Sequence, residues 1–201
     1  MESKVKVMVA LGVAVILFFS LIDISGVTTA QDETGPKHGA DDLVMPVSDI
    51  ELMSKVRQTL SAAGEEPSFI KKISLRELGN VYVTTVHGGQ KSIFARVVAR
   101  RVPCMDCHDV FFVYSFDDSG RFLKFIPLYI TKRYNKKWDR DDISKIENRF
   151  SGKPISVPVG FNPMVDAVSS ATISSKLVFH SMNETHKVYK KLVELGYAPK
   201  K

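Results

Sequence analysis

Residues 103–109 read PCMDCHD and hold both cysteines of the chain, Cys104 and Cys107, with His108 directly after them. C-x-x-C-H is the pattern through which a c-type haem is attached: two thioethers to the vinyl groups, and the following histidine, here His108, as iron ligand. In an oxidising compartment the same two thiols form a disulfide, and at this spacing such a disulfide can be redox-active. Zinc would need a fourth ligand beyond Cys104, Cys107 and His108, and His87 is the candidate. These chemistries stay open. Met45, Met53, Met164, Met182, His87, His180 and His186 are all candidates for a distal haem ligand, and the sequence selects none of them.

A second segment, VDAVSSATISSK at 165–176, crowds Ser169, Ser170, Thr172, Ser174 and Ser175 into the start of a predicted helix. Free amides and the positive end of the helix dipole face whatever sits there, and small side chains let a phosphate approach closely. One serine or aspartate is enough for ordinary N-capping. Five hydroxyls exceed that need.

The run from Asp166 to Ser175, DAVSSATISS, resembles the D-x-x-S-G-A-T-x-[TS]-S motif of the FMN-binding domain family, whose members include the exported flavin-bearing subunits of Rnf and sodium-pumping NADH:quinone oxidoreductase complexes. The resemblance implies FMN as cofactor, joined through its phosphate to Thr172 by a flavin transferase outside the cytoplasm. Asp166, Ser169, Ser170, Ala171 and Ser174 are the accompanying motif residues. It also implies a small α+β domain, matched more loosely from about residue 79 to the last helix. One position departs from the motif: Ser170 stands where the covalent family has glycine. If that position needs positive φ or a close approach, the added Cβ works against modification, so covalent FMN, non-covalent FMN and a fold that has lost flavin stay open. Tyr134, Trp138 and Phe161 are aromatics able to cover a flavin ring, though each also suits core packing.

Export is what makes either redox chemistry feasible. MESKVK precedes an apolar stretch from Val7 to Ile22, and Lys4 and Lys6 place the remainder outside the cytoplasm. Sixteen helical residues reach about 24 Å, short of the roughly 30 Å hydrocarbon core, so a cleaved signal peptide and a retained anchor are both expected readings of residues 1–30. No cysteine follows the stretch to accept a lipid. Net charge is +6, with scattered lysines and arginines. That excess suits anionic lipid, an acidic redox partner or an anionic ligand, while no nucleic-acid module accompanies it. P-loop, G-x-S-x-G and H-E-x-x-H patterns are absent from the sequence.

Residues 31–47 read as a linker, and 48–78 as a helical lead-in opened by a Ser48/Glu51 capping box, with Ile50, Met53, Val56 and Leu60 as its apolar stripe. From Asn80 the period changes to two. VYVTTV and SIFARVVARRV flank HGGQ, and VFFVYSF and RFLKFIPLYI flank DDSG, giving two hairpins with PCMDCHD between them. A helix with Ile143, Ile146 and Phe150 follows. Pro154, Pro158 and Pro163 then predict an extended stretch, and a final helix runs from about Ser170 to Leu195, burying Val178, Met182, Tyr189 and Leu192. The expected class is α+β: an antiparallel sheet flanked by helices, preceded by an N-terminal hydrophobic helix, with residues 79–197 as the FMN-binding-like domain. The expected role is electron transfer alongside redox partner proteins or a membrane oxidoreductase complex. The rivals are a non-redox assembly or sensory module with a structural disulfide, and a monohaem cytochrome without flavin.

Overall fold

The computed structural model describes residues 43–200 apart from 62, 63, 65, 87 and 104–107. The expected N-terminal hydrophobic helix and both cysteines lie outside the described residues. Among the described residues, no helix is long and apolar enough to cross a membrane.

Five antiparallel strands pair in chain order: β1 Lys71–Leu75, β2 Gly79–Val86, β3 Lys91–Arg100, β4 Val110–Asp117 and β5 Phe122–Tyr129. The HGGQ turn joins β2 to β3, with Gly88 and Gly89 both at positive φ as a tight hairpin demands. DDSG joins β4 to β5, and PCMDCHD connects β3 to β4 as the hairpin pattern predicted. β1 falls inside the segment expected to be a helical lead-in. It is a short edge strand in which only Ile73 and Leu75 are buried, too little for a period to show.

Helices cover both faces of the sheet. α1 Asp49–Leu60 lays Val56 and Leu60 against Tyr82, Val86, Ile93, Ala95, Val113 and Ile126. Ser48 caps it, its hydroxyl accepting from the Glu51 amide at 3.2 Å. The stripe is turned from the expected face: Ile50 is 85% exposed and Met53 also faces out, while Leu52, Val56, Thr59 and Leu60 lie toward the sheet. On the other face α2 Arg140–Phe150, α4 Thr172–Asn183 and α5 Thr185–Glu194 enclose an aromatic core of Phe94, Phe112, Tyr114, Phe122, Phe150 and Phe179. β4 is sandwiched between the two layers and is buried at every position, so its sequence runs apolar without alternating.

Two expectations near the C-terminus are corrected. Pro163 does not extend the chain but opens a short helix, α3 Pro163–Asp166, where a fixed φ and a missing amide are tolerated. The single helix expected over 170–195 is divided at Glu184 into α4 and α5. The cause is tertiary. Arg96 on β3 is only 3% exposed and donates to the Ser181 carbonyl, the Tyr114 hydroxyl and the Leu78 carbonyl. Arg100 donates to Ser181 Oγ and pairs with Glu184 at 2.6 Å, while the Thr185 hydroxyl bonds the Tyr114 hydroxyl at 2.6 Å. The end of α4 is thus tied to the sheet by two guanidinium groups.

Candidate functional site

The opposite end of α4 is built differently. Ser175, fully buried, accepts from the Val168 amide at 3.0 Å and donates to the Ala171 carbonyl at 2.9 Å, which curls residues 168–171 into a fixed approach to the helix. Ala171 is the N-cap and offers no side-chain acceptor, so the first amides of α4 are left without the usual hydroxyl or carboxylate. Ser170, just before it, has φ +60°. The position where the motif carries glycine is left-handed in this chain, and a serine holds it at a cost of about 1–2 kcal/mol.

These residues form one wall of a cavity of about 690 Å³, lined by His108, Thr131, Lys132, Arg133, Tyr134, Asn135, Ser170, Ala171, Thr172, Ile173 and Ser174. Ligand sites of this kind span roughly 300–1,000 Å³. Ser174 is only 8% exposed and lines the cavity, and its hydroxyl is not one of the buried polar atoms left without a partner among the described residues.

The second wall is the loop after β5, from which the sequence reading singled out only Tyr134. Lys132 spans to α2, its Nζ 2.5 Å from Asp142 and 2.9 Å from Asp139. Asp139 caps α2 reciprocally with Asp142. The hydrogen bond from Lys132, then the Asp142 amide, pulls the Asp139 carboxyl down to about 2, and the same two carboxylates raise Lys132. The Lys132 amide donates to the Lys136 carbonyl at 2.7 Å, and the Arg133 amide reaches across to the Ser170 carbonyl at 3.2 Å, joining the two walls. Tyr134 and Asn135 sit at φ 62° and 59°. With Ser170 they are the non-glycine residues at positive φ among the described residues, and all three line this cavity. Strain of this kind concentrates where function requires a fixed geometry.

His108 completes the ring of contacts. The Val102 amide donates to Asp109 Oδ1 at 3.2 Å and closes the neck of the β3–β4 connection. Beyond that neck His108 donates from Nε2 to Asn135 Oδ1, its ring edge-on to Tyr129 at 5.7 Å. The histidine of C-x-x-C-H and the start of α4 therefore meet at one cavity.

Not every motif residue reaches it. Ser170, Ala171, Thr172 and Ser174 line the cavity, whereas Asp166 and Ser169 do not. Asp166 is buried and braces the turn before α4: it accepts from the Asn162 amide at 2.8 Å and lies 3.2 Å from Arg149 Nε. Trp138 and Phe161 belong to the core, Phe161 packing edge-on against Phe179, which leaves Tyr134 alone of the three aromatics at the cavity. His180 is exposed, and His186 donates from Nδ1 to the Asn183 carbonyl at 2.8 Å. Among the described residues no cluster of three metal-ligating side chains occurs.

The donor set fits a phosphate ester: free helix amides, the Thr172 and Ser174 hydroxyls, and the Arg133 cation, with Tyr134 and Ile173 supplying apolar surface for an attached ring. It does not fit haem as it stands, since ligation of iron through His108 Nε2 requires displacing Asn135. No family model, curated protein or solved structure matches the chain.

Proposed function

We propose that this is an exported, membrane-tethered electron-transfer protein that holds FMN in the cavity at the start of α4, working with redox partner proteins or within a membrane oxidoreductase complex. The observation that carries the reading is the coincidence of three features at one place. The flavin-like motif opens an uncapped helix, Thr172 and Ser174 line the cavity at that helix start, and His108, the histidine of C-x-x-C-H, lines the same cavity. Thr172 is the residue that would take the phosphoester, with Ser170, Ala171 and Ser174 around the phosphate. FMN supplies reversible one- and two-electron chemistry when bound, and the protein positions and tunes it. Cys104 and Cys107 are the second redox centre. A dithiol–disulfide pair is favoured over haem, because His108 already spends Nε2 on Asn135.

A serine at φ +60° supports one alternative. If Ser170 Oγ and Cβ obstruct the phosphate, the chain is a non-redox assembly or sensory module with a structural disulfide. One preparation separates the readings: the full chain from a host able to mature c-type haem and attach flavin, examined by visible spectrum and intact mass. Flavin absorbance, with added mass lost in Thr172→Ala, establishes covalent FMN. A Soret band lost in Cys107→Ala establishes haem. A colourless protein two hydrogens light contradicts both and leaves the disulfide module.

A further inference from the structure

Tyr134 is the one of the three aromatics named from the sequence that lines the cavity. It is 79% exposed, yet the backbone around it is held in place on every side: the Lys132 amide on Lys136, the Arg133 amide on Ser170, the Trp138 amide on Ile130, a bridge between Thr131 and Lys137, and Asn135 on His108. A loose loop would relax a tyrosine out of the left-handed region, where a bulky residue is a genuine outlier. This loop instead fixes an aromatic ring in the open. Trp138, four residues on, is buried in the core, so anchoring the loop does not require Tyr134. The Arg133 guanidinium lies over the Tyr134 ring at 5.0 Å from its centroid, covering one face and placing a cation beside it.

A rigid, uncovered aromatic face with a cation at its back, on the same cavity as an uncapped helix start with Thr172 and Ser174, has the chemistry of a two-part subsite. We infer that Tyr134, backed by Arg133, is the stacking platform for the planar heteroaromatic ring of the bound ligand, while the start of α4 takes its phosphate. This rests on the flavin reading and deepens it. The ring subsite and the phosphate subsite are separate walls joined by the Arg133–Ser170 backbone bond, and Tyr134 is a positioning residue rather than a reacting one.

The test is a fluorescence titration of the full chain, prepared free of flavin, with FMN and with riboflavin, which keeps the ring and lacks the phosphate. Stacking on tyrosine quenches flavin emission. Wild type should quench FMN. Tyr134→Leu should lose most of the quenching and weaken both ligands about tenfold, and Tyr134→Phe should retain both properties. Ser174→Ala should weaken FMN while leaving riboflavin and the quenching at saturation unchanged. Circular dichroism and melting of Tyr134→Leu confirm that it folds. FMN binding that depends on Ser174 but is indifferent to Tyr134→Leu overturns the platform alone. Failure of wild type to bind either ligand overturns the flavin reading and the platform with it.

Discussion

The two ends of α4 were made from similar materials and finished in opposite ways. At the C-terminal end Arg96 and Arg100 meet the Ser181 carbonyl and hydroxyl and Glu184, and every polar group in that knot has a partner. At the N-terminal end Ala171 provides no side-chain cap, and Ser170, with Tyr134 and Asn135 across the cavity, is held in strained backbone. A satisfied buried network contributes to stability and to a single arrangement of the core. Strain and unmet hydrogen-bonding capacity do neither. They are retained where something else completes them. The comparison therefore separates scaffold from site on a single helix.

The contrast breaks most visibly if the satisfied end is cut. Arg96→Met should lower the unfolding free energy by about 3 kcal/mol, because it takes a charged donor from the Leu78 and Ser181 carbonyls in the core, while the Tyr114 hydroxyl keeps only Thr185. Urea denaturation reads this directly. A loss below about 0.5 kcal/mol would mean the knot is not a structural element.

At the open end the same kind of substitution should act in the other direction. Ser170→Gly relieves a left-handed serine and should raise stability by about 1 kcal/mol, seen as an increase of about 2–4 °C in Tm for a chain of this size. A lower Tm would show that Ser170 is not strained and that the departure from the motif costs nothing.

The smallest expected effect concerns pH. Asp139, whose carboxyl is drawn down to about 2 by Lys132 and the Asp142 amide, anchors the lysine that forms the second wall. A depressed folded value means its contribution is fully present above the unfolded value of about 3.9 and is lost as pH falls toward 2. The stability difference between wild type and Asp139→Asn should be constant near neutrality and shrink to nothing across that acid window. A difference that persists at pH 2 would assign the effect of the substitution to something other than the charge.

How much of this was legible follows from how local each feature is. The hairpins about HGGQ and DDSG, the helix carrying Ile146 and Phe150, and the motif at the start of α4 are written in adjacent residues. The break at Glu184 is not, because its cause is Arg100, 84 residues earlier. Nor does β4 alternate, since both its faces are covered. The tight turn that holds Tyr134 in the second wall was missed for a related reason. KRYNKK contains no glycine, so nothing but the tolerance of Asn135 for left-handed backbone hinted at a tight turn there. Asp166 was read with the ligand because of its place in the motif, and its burial beside the half-exposed Arg149, with its bond from the Asn162 amide, shows it bracing the turn instead.

The central claim is that FMN sits at the open end of α4 and nowhere near the closed one. Amide-resolved NMR of the flavin-free full chain in detergent, titrated with FMN, tests it most directly. The amides of Ser170, Ala171, Thr172, Ile173 and Ser174 should shift on saturation together with those of His108 and Tyr134, while those of Ser181, Met182, Glu184 and Thr185 stay in place. Saturating FMN that leaves the first group unmoved, or moves both groups alike, would contradict the account.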